Sequence, residues 1–446
     1  MKPSGALALA VVLAACSPPP VVPRQEPRPA VPTVPEPTKP EPAPPKPETD
    51  ELGELLRADP DLAAILADAP KRRLQVAVAV PTPEGLKRLS FRVDADYFYP
   101  ASAVKLLVAS SALEKLAELR DGAGDGRRHP DVTLRSRLRF IDGAGSTRKV
   151  VTTTLRGELE KALVLSDNDA HNRLFDFVGR DELGELLARV SLPRARIMHY
   201  LGEALDHEPP VIEFSPAGRS IYVAQRNGFA APPPPTEGTA LGKAYINGSG
   251  QIVQRPMEFA EKNYVPLREL QDILVATMRP DLVDPAAVPR LSPGDRAELR
   301  AVLSTLPSEL KQMRGLRADQ LRVVDETYKS FHRAFVRARP TDRLRVYGKS
   351  GRAFGFSVEN VYVADETTGR SLFAAVTIYA HDSGTVGDDR YEYESVASPF
   401  VGKVAELLAR TYLAGPASPA PRPSVPTRGR AVPGTKAVSR GGPATP

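Results

Sequence analysis

The sequence predicts an α+β fold in which strands from both ends of the chain join in one antiparallel sheet, packed on a helical region. Three observations predict it. Alternating, Val-rich runs open the folded part, at Leu74 to Val80 and Leu89 to Val93. Similar runs return far downstream, at Arg343 to Tyr347, Phe356 to Ala364 and Ser371 to Ala380. Between the two sets the apolar residues recur at helical spacing. The hydrophobic fraction, 41% of 446 residues, supports a real core, and no internal repeat divides it.

The chain begins with a short basic start (Lys2), an apolar run from Ala6 to Ala15 and the tetrapeptide Leu13-Ala14-Ala15-Cys16. That run is too short to span a bilayer and has the shape of an export signal. Its last four residues resemble the lipobox of bacterial lipoproteins, in which the signal is cut before an acylated cysteine. Residues 1–16 are therefore expected to be removed up to a lipidated Cys16, leaving the protein exported and anchored on the periplasmic side of the cell envelope. Cys16 is the only cysteine, so no intramolecular disulfide is possible. Residues 17–50 are Pro-rich and cannot bury a core, which predicts an extended tether. About 30 residues at roughly 3.1 Å each reach on the order of 100 Å. Residues 414–446 form a second Pro/Gly/Ser/Arg tail with no acidic residue, expected as a solvated tail. The folded domain then spans 51–413.

Within it, Glu51 to Arg57 reads as a short helix. Asp59-Pro60 reads as the cap and first position of a second, running to about Leu66. Thr82-Pro83-Glu84-Gly85 is a turn between the first two strands. Helical patterns follow from Ser102 onward, notably at Leu155 to Leu165, Asn172 to Val178 and Leu183 to Val190. After the late strands a last apolar-periodic helix runs from about Ala397 to Tyr412.

The net charge of +6 lies partly in the C-terminal tail. With no nucleic-acid motif and only 6% aromatics, the basicity is not read as nucleic-acid binding. The six histidines are scattered and the single thiol sits at the end of the signal, so no metal set and no cofactor is expected.

Chemistry concentrates in three short motifs. Tyr99-Pro100-Ala101-Ser102-Ala103-Val104-Lys105-Leu106 is a loop that runs straight into a buried helix. Ser102 and Lys105, at i and i+3, share one helical face. Desolvation and the positive helix end both disfavour the ammonium form of a lysine placed there. A neutral lysine beside a serine can take its proton and make it a nucleophile. The spacing alone is common: Ser308-Glu309-Leu310-Lys311 has it too, and follows Pro307 like a capped surface helix. The second motif, Ser166-Asp167-Asn168, by itself reads as a helix boundary. The third, Lys349-Ser350-Gly351, by itself reads as an edge-strand lysine followed by a bulge.

In order, Ser-x-x-Lys, Ser-Asp-Asn and Lys-Ser-Gly resemble the active-site set of the penicillin-recognising serine hydrolases. The likeness extends along Ser166-Asp167-Asn168-Asp169-Ala170-His171-Asn172-Arg173-Leu174, which is similar to the run of class A β-lactamases, and to Tyr97-Phe98-Tyr99-Pro100 ahead of Ser102. It covers roughly Leu74 to Tyr412, with insertions. The resemblance implies a three-layer α/β/α sandwich of β-lactamase/transpeptidase type. It also implies a serine hydrolase that opens a strained cyclic amide through an acyl-enzyme on Ser102. In that frame Lys105 is the base or the base's partner, Ser166 relays a proton to the leaving nitrogen and Asn168 bonds the substrate's side-chain amide. Lys349 and Ser350 attract the substrate carboxylate. The backbone N–H groups of Ser102 and Arg352, beside Gly351, form the oxyanion hole.

The sequence departs from the family in three places. The usual Glu-x-x-Leu-Asn is absent; Glu203 is the best-placed deacylating base and Glu208 the next. Two insertions, 230–250 and 310–342, lengthen the path from Ser166 to Lys349 and are expected to flank the site mouth. Arg352 is bulkier than the family's small residue. The leading expectation is a β-lactamase acting in antibiotic resistance. The alternatives are a D-Ala-D-Ala peptidase or penicillin-binding protein acting on peptidoglycan, and a non-catalytic envelope-binding module. Expected partners are a β-lactam or peptidoglycan-stem molecule and, through the lipid anchor alone, the membrane. The chain is expected to be a monomer.

Overall fold

The computed structural model describes residues 50–122, 126–143, 148–202, 209–226, 228 and 232–414. The signal, Cys16, all of the tether but Asp50, and all of the tail but Ala414 lie outside them.

Helix α1 (Glu51–Arg57) and helix α2 (Pro60–Leu66) come first. Asp59 caps α2 by accepting from the N–H groups of Asp61 and Leu62, and Pro60 takes the first helical position. Strands β1 (Gln75–Thr82) and β2 (Gly85–Phe91) form a hairpin closed by Thr82 opposite Gly85. A 3₁₀ turn, Ala101–Val104, leads into α3 (Lys105–Asp121). Next come β3 (Arg137–Asp142), β4 (Lys149–Thr153), α4 (Leu155–Val164), α5 (Asn168–Val178) and α6 (Arg180–Arg189). Strands β5 (Val211–Ser215) and β6 (Ile221–Val223) follow. Short strands β7 (Ala240–Leu241), β8 (Ala244–Ile246), β9 (Ile252–Val253) and β10 (Met257–Glu258) precede α7 (Leu267–Met278) and α8 (Pro293–Ser304). Helices α9 (Ala318–Tyr328) and α10 (Ser330–Ala338) lead to β11 (Leu344–Gly348), β12 (Gly351–Ala353), β13 (Phe356–Asp365), β14 (Arg370–Tyr379) and β15 (Thr385–Val386). Helix α11 (Ser398–Leu408) closes the domain between two π-helical turns.

The main sheet runs β11-β13-β14-β1-β2, with β12 also on β13, and every pair is antiparallel. Early strand β1 is thus inserted beside late strand β14, as the alternating runs at the two ends of the chain predict. Strands β13 and β14 are buried almost throughout, because helices cover both faces. Ala77, Phe356, Val358 and Phe373 face α3 and α7. Val76, Val361, Val363 and Val376 face α1, α2, α10 and α11. This is the α/β/α layering that the resemblance implies.

Three details differ from the sequence reading. A second antiparallel sheet, β4-β3-β5-β6, lies within the helical half. Its strand β3 alternates arginine with apolar residues, and Leu138 and Phe140 are its inward face. The 310–342 stretch is not only a rim, because Phe331 and Phe335 of α10 are fully buried under the main sheet. Helix α5 starts at Asn168, four residues before its expected start, because the Asp167 carboxylate caps it through the Ala170 N–H at 2.7 Å.

Candidate active site

Five aromatic rings pin the turn that carries Ser102. Tyr99 packs edge-on to Phe259 and Phe354, at 5.6 and 5.5 Å between centroids, and Tyr97 stacks on Tyr264. The chain then enters the turn through Ala101 at φ 48°, a left-handed conformation that costs a non-glycine residue about 1 kcal/mol or more. Packing on both sides holds that strain and aims Ser102 at the start of α3.

Lys105, on the first turn of α3, is fully buried. Its Nζ donates to the Ser166 carbonyl, to Asn168 Oδ1 at 2.7 Å and to Ser166 Oγ at 3.3 Å. Ser166 is itself held at φ 57°. Lys349, at the end of β11, arrives from the other side. Its Nζ donates to Ser166 Oγ at 2.9 Å and to the Ser350 carbonyl. One hydroxyl, Ser166, is therefore shared by two buried lysines from distant parts of the chain. Burial first, then the nearby Lys105 and Lys329, holds the Lys349 amine well below the ordinary lysine range, while Glu359 opposes them.

Gly351 explains how β12 reaches the nucleophile. A Cβ there would fall 2.7 Å from the backbone nitrogens of both Ser102 and Ala103. Only glycine permits so close an approach, and it sets the start of β12 against the Ser102 N–H. Arg352 follows it, with its guanidinium turned to Glu394 at 2.7 Å and Ser398 at 2.9 Å and lying over the Tyr393 ring. The bulk of Arg352 is thus spent on α11 and its lead-in.

The structure thus brings together Ser102, Lys105, Ser166, Asn168, Lys349, Ser350 and Gly351. Glu203 and Glu208 lie outside the described residues. The loop that leads to them is described as far as Gly202. Asn172 clamps it, donating to the Leu201 carbonyl at 3.2 Å and accepting from the Leu201 N–H at 2.9 Å. A Cβ on Gly202 would lie 2.9 Å from the Asn168 amide. The buried Asn263 side chain accepts from the N–H groups of Met198 and His199 and fixes the other end of this loop.

Three residues of the site escaped the sequence reading. His171 lies one turn after Asn168, fully buried, and neither ring nitrogen has a partner among the described residues. Burial, followed by Lys105, His199 and Lys349, keeps it neutral. Lys329, also buried, donates to the carbonyls of Leu303 at 3.1 Å and Gly348 at 2.9 Å, and burial lowers its amine to about 8. Glu359 of β13, fully buried, accepts from Ser350 Oγ at 2.6 Å and, on its other oxygen, from Ser330 Oγ. A glutamate in the middle of an apolar strand was the available signal for it.

The decoy motif resolves differently. Ser308 bonds Asp325 through both its N–H, at 2.9 Å, and its hydroxyl, at 2.8 Å, and Lys311 is exposed.

Residues 59–221 match the β-lactamase enzyme family. No curated protein matches the sequence. Among solved structures, the chain is similar to the chromosome-encoded β-lactamase of Vibrio parahaemolyticus, at 12% identity and a TM-score of 0.44 over 80% of this chain and 98% of that one. It is similar to a β-lactamase from Desulfarculus baarsii, at 16% identity and a TM-score of 0.43 over 78% and 96%. A mutant of PBP-A, solved as an acyl-enzyme complex with penicillin G, matches at 15% identity and a TM-score of 0.44 over 80% and 96%.

Proposed function

We propose, from the premise that residues 59–221 are a β-lactamase-family segment, that this protein is a serine hydrolase which opens β-lactam rings through an acyl-enzyme on Ser102. One observation carries the reading: Lys105 and Lys349 converge on the Ser166 hydroxyl, with Gly351 against the Ser102 N–H. In the proposed reaction Ser102 Oγ bonds the lactam carbonyl carbon and its proton passes to Lys105. The N–H groups of Ser102 and Arg352 take the charge on the carbonyl oxygen. The C–N bond breaks, and Ser166 gives its proton to the leaving nitrogen and is refilled from the lysine side. Water then cleaves the ester, its hydroxide staying on the acyl carbon and its proton returning to Ser102. Cys16 and the tether would hold the domain at the envelope.

The loop that Asn172 clamps favours a second reading. Where it meets Asn168 it presents Leu201 and Gly202, neither of which can activate water. If Glu203 does not reach the site either, the acyl-enzyme persists. The protein is then a penicillin-binding enzyme or D-Ala-D-Ala peptidase rather than an efficient β-lactamase.

A chromogenic cephalosporin, followed by absorbance and by intact mass, separates the two. Turnover that Ser102→Ala abolishes supports hydrolysis, and Glu203→Gln should then lengthen the adduct lifetime. A stoichiometric adduct without turnover supports the second reading. No adduct with any β-lactam overturns both.

A further inference from the structure

We propose that Glu359 is a specificity-determining residue of the Ser102 site: it holds the Ser350 hydroxyl proton, so the site accepts acyl donors without a carboxylate nearly as readily as those with one. The inference rests on the acyl-enzyme reading above and names the substrate class for it.

The register fixes the arrangement. Gly351 pairs with Val358 and the Lys349 N–H bonds the Asn360 carbonyl at 3.0 Å, so Ser350 stands across from Glu359. Cross-strand neighbours share a sheet face. That face is the one covered by α10, from which Ser330 reaches the other carboxylate oxygen. Two hydroxyls therefore donate to the two oxygens of one buried carboxylate. Ser350 has a single O–H, and it is spent at 2.6 Å on Glu359.

To donate to a substrate carboxylate, Ser350 would have to turn away from Glu359. It would exchange one charge-assisted hydrogen bond for another and leave a buried oxygen short of a donor. The exchange offers no net gain, so a substrate carboxylate is not rewarded by Ser350. Lys349 remains near it, but its Nζ already donates to Ser166 and to the Ser350 carbonyl. In its present rotamer the Ser350 hydroxyl points to the α10 face and gives a substrate carboxylate no bond.

Acylation of the full chain by benzylpenicillin and by its methyl ester, followed by intact mass, tests this. The two differ only in whether the carboxylate is free. The wild-type protein should prefer the acid by less than about tenfold, the ratio one charge-assisted bond would set; a larger preference overturns the proposal. Glu359→Gln removes the charge and can itself donate to Ser350, which frees the serine proton. It should raise the acid-over-ester ratio at least about threefold, as an order of magnitude for regaining part of one such bond. A general packing defect would slow both probes together and leave the ratio unmoved, which also overturns the proposal. If Glu359→Gln does not fold, the wild-type ratio decides alone. Absence of any adduct with either probe defeats the acyl-enzyme reading itself, and this inference with it.

Discussion

Helix α3 carries two buried lysines, Lys105 and Lys115, ten residues and about 15 Å apart along one axis. Both donate to backbone carbonyls: Lys105 to Ser166, and Lys115 to Val178 at 2.6 Å and Ala224 at 2.8 Å. Beyond the backbone they diverge. Lys115 reaches the Glu182 carboxylate at 3.5 Å, and its surroundings are laced with further pairs, Glu114 with Arg189 and Arg226 with Glu185. Lys105 reaches an amide oxygen and a hydroxyl. A carboxylate partner favours the ammonium form and opposes the pull of burial, as Glu182 does for Lys115. The end of α3 with matched charges also borders a cavity of about 560 Å³, lined by Ser111, Glu118 and Tyr222 among others. This cavity and the Ser102 turn thus lie at different ends of one helix. Nucleophilic chemistry needs a buried base that can lose its proton, and space alone does not supply one.

The two lysines should part company on substitution. Lys105→Met should slow acylation of Ser102 by about 100- to 10,000-fold, the usual worth of a general base, with the fold intact. Lys115→Met should leave acylation nearly unchanged. It should instead cost about 3 kcal/mol of stability, because two buried carbonyls lose their donor and Glu182 keeps only Arg226 among the described residues. Rates of adduct formation and urea midpoints on both variants check this. Equal losses of acylation in the two would break the contrast.

The Ser102–Lys105 pair was legible because helical spacing alone sets it, and Lys349 because a lysine followed by Ser-Gly on a strand matches a known set. What lay hidden was everything defined by contact across layers. Glu359 sits where an apolar strand would carry valine, and only the placement of α10 beneath the sheet explains it. Lys329 reads as a surface lysine between two helices until the carbonyls of Leu303 and Gly348 close over it. The buried role of Phe331 and Phe335 was masked by the charged residues around them. Local pattern reports one face of an element; it does not say what covers the other.

The premise that burial strips protons from bases in this protein can be sharpened by stability. Burial lowers His199 to about 4 and His332 to about 3, and His171 well below its ordinary value. The sign follows from which state takes the proton. Below the unfolded value near 6.5 the unfolded chain binds protons that these native imidazoles refuse, so acid favours unfolding. Stability should be intact above about pH 6.5 and fall as pH drops toward 4. By pH 5 the loss is about 2 kcal/mol for each such imidazole, still above the carboxylate range. Urea midpoints at pH 7 and pH 5 measure it. A flat profile between them would mean that these histidines are solvated, and the argument for a deprotonated buried lysine would weaken with it.

The smallest effect concerns the motif that shares the spacing of Ser102 and Lys105 without its setting. Ser308 donates its hydroxyl to Asp325, a buried carboxylate that also receives the Ser308 N–H. Ser308→Ala removes one of those two bonds and leaves the other. The expected loss is about 1 kcal/mol, read as a shift of the urea midpoint, with no change in acylation. Lys311 is exposed, so the lysine at that spacing is not a buried base for this serine. A measurable fall in acylation for Ser308→Ala would show that three-residue spacing carries function without burial. The contrast between the two ends of α3 would then lose its physical basis.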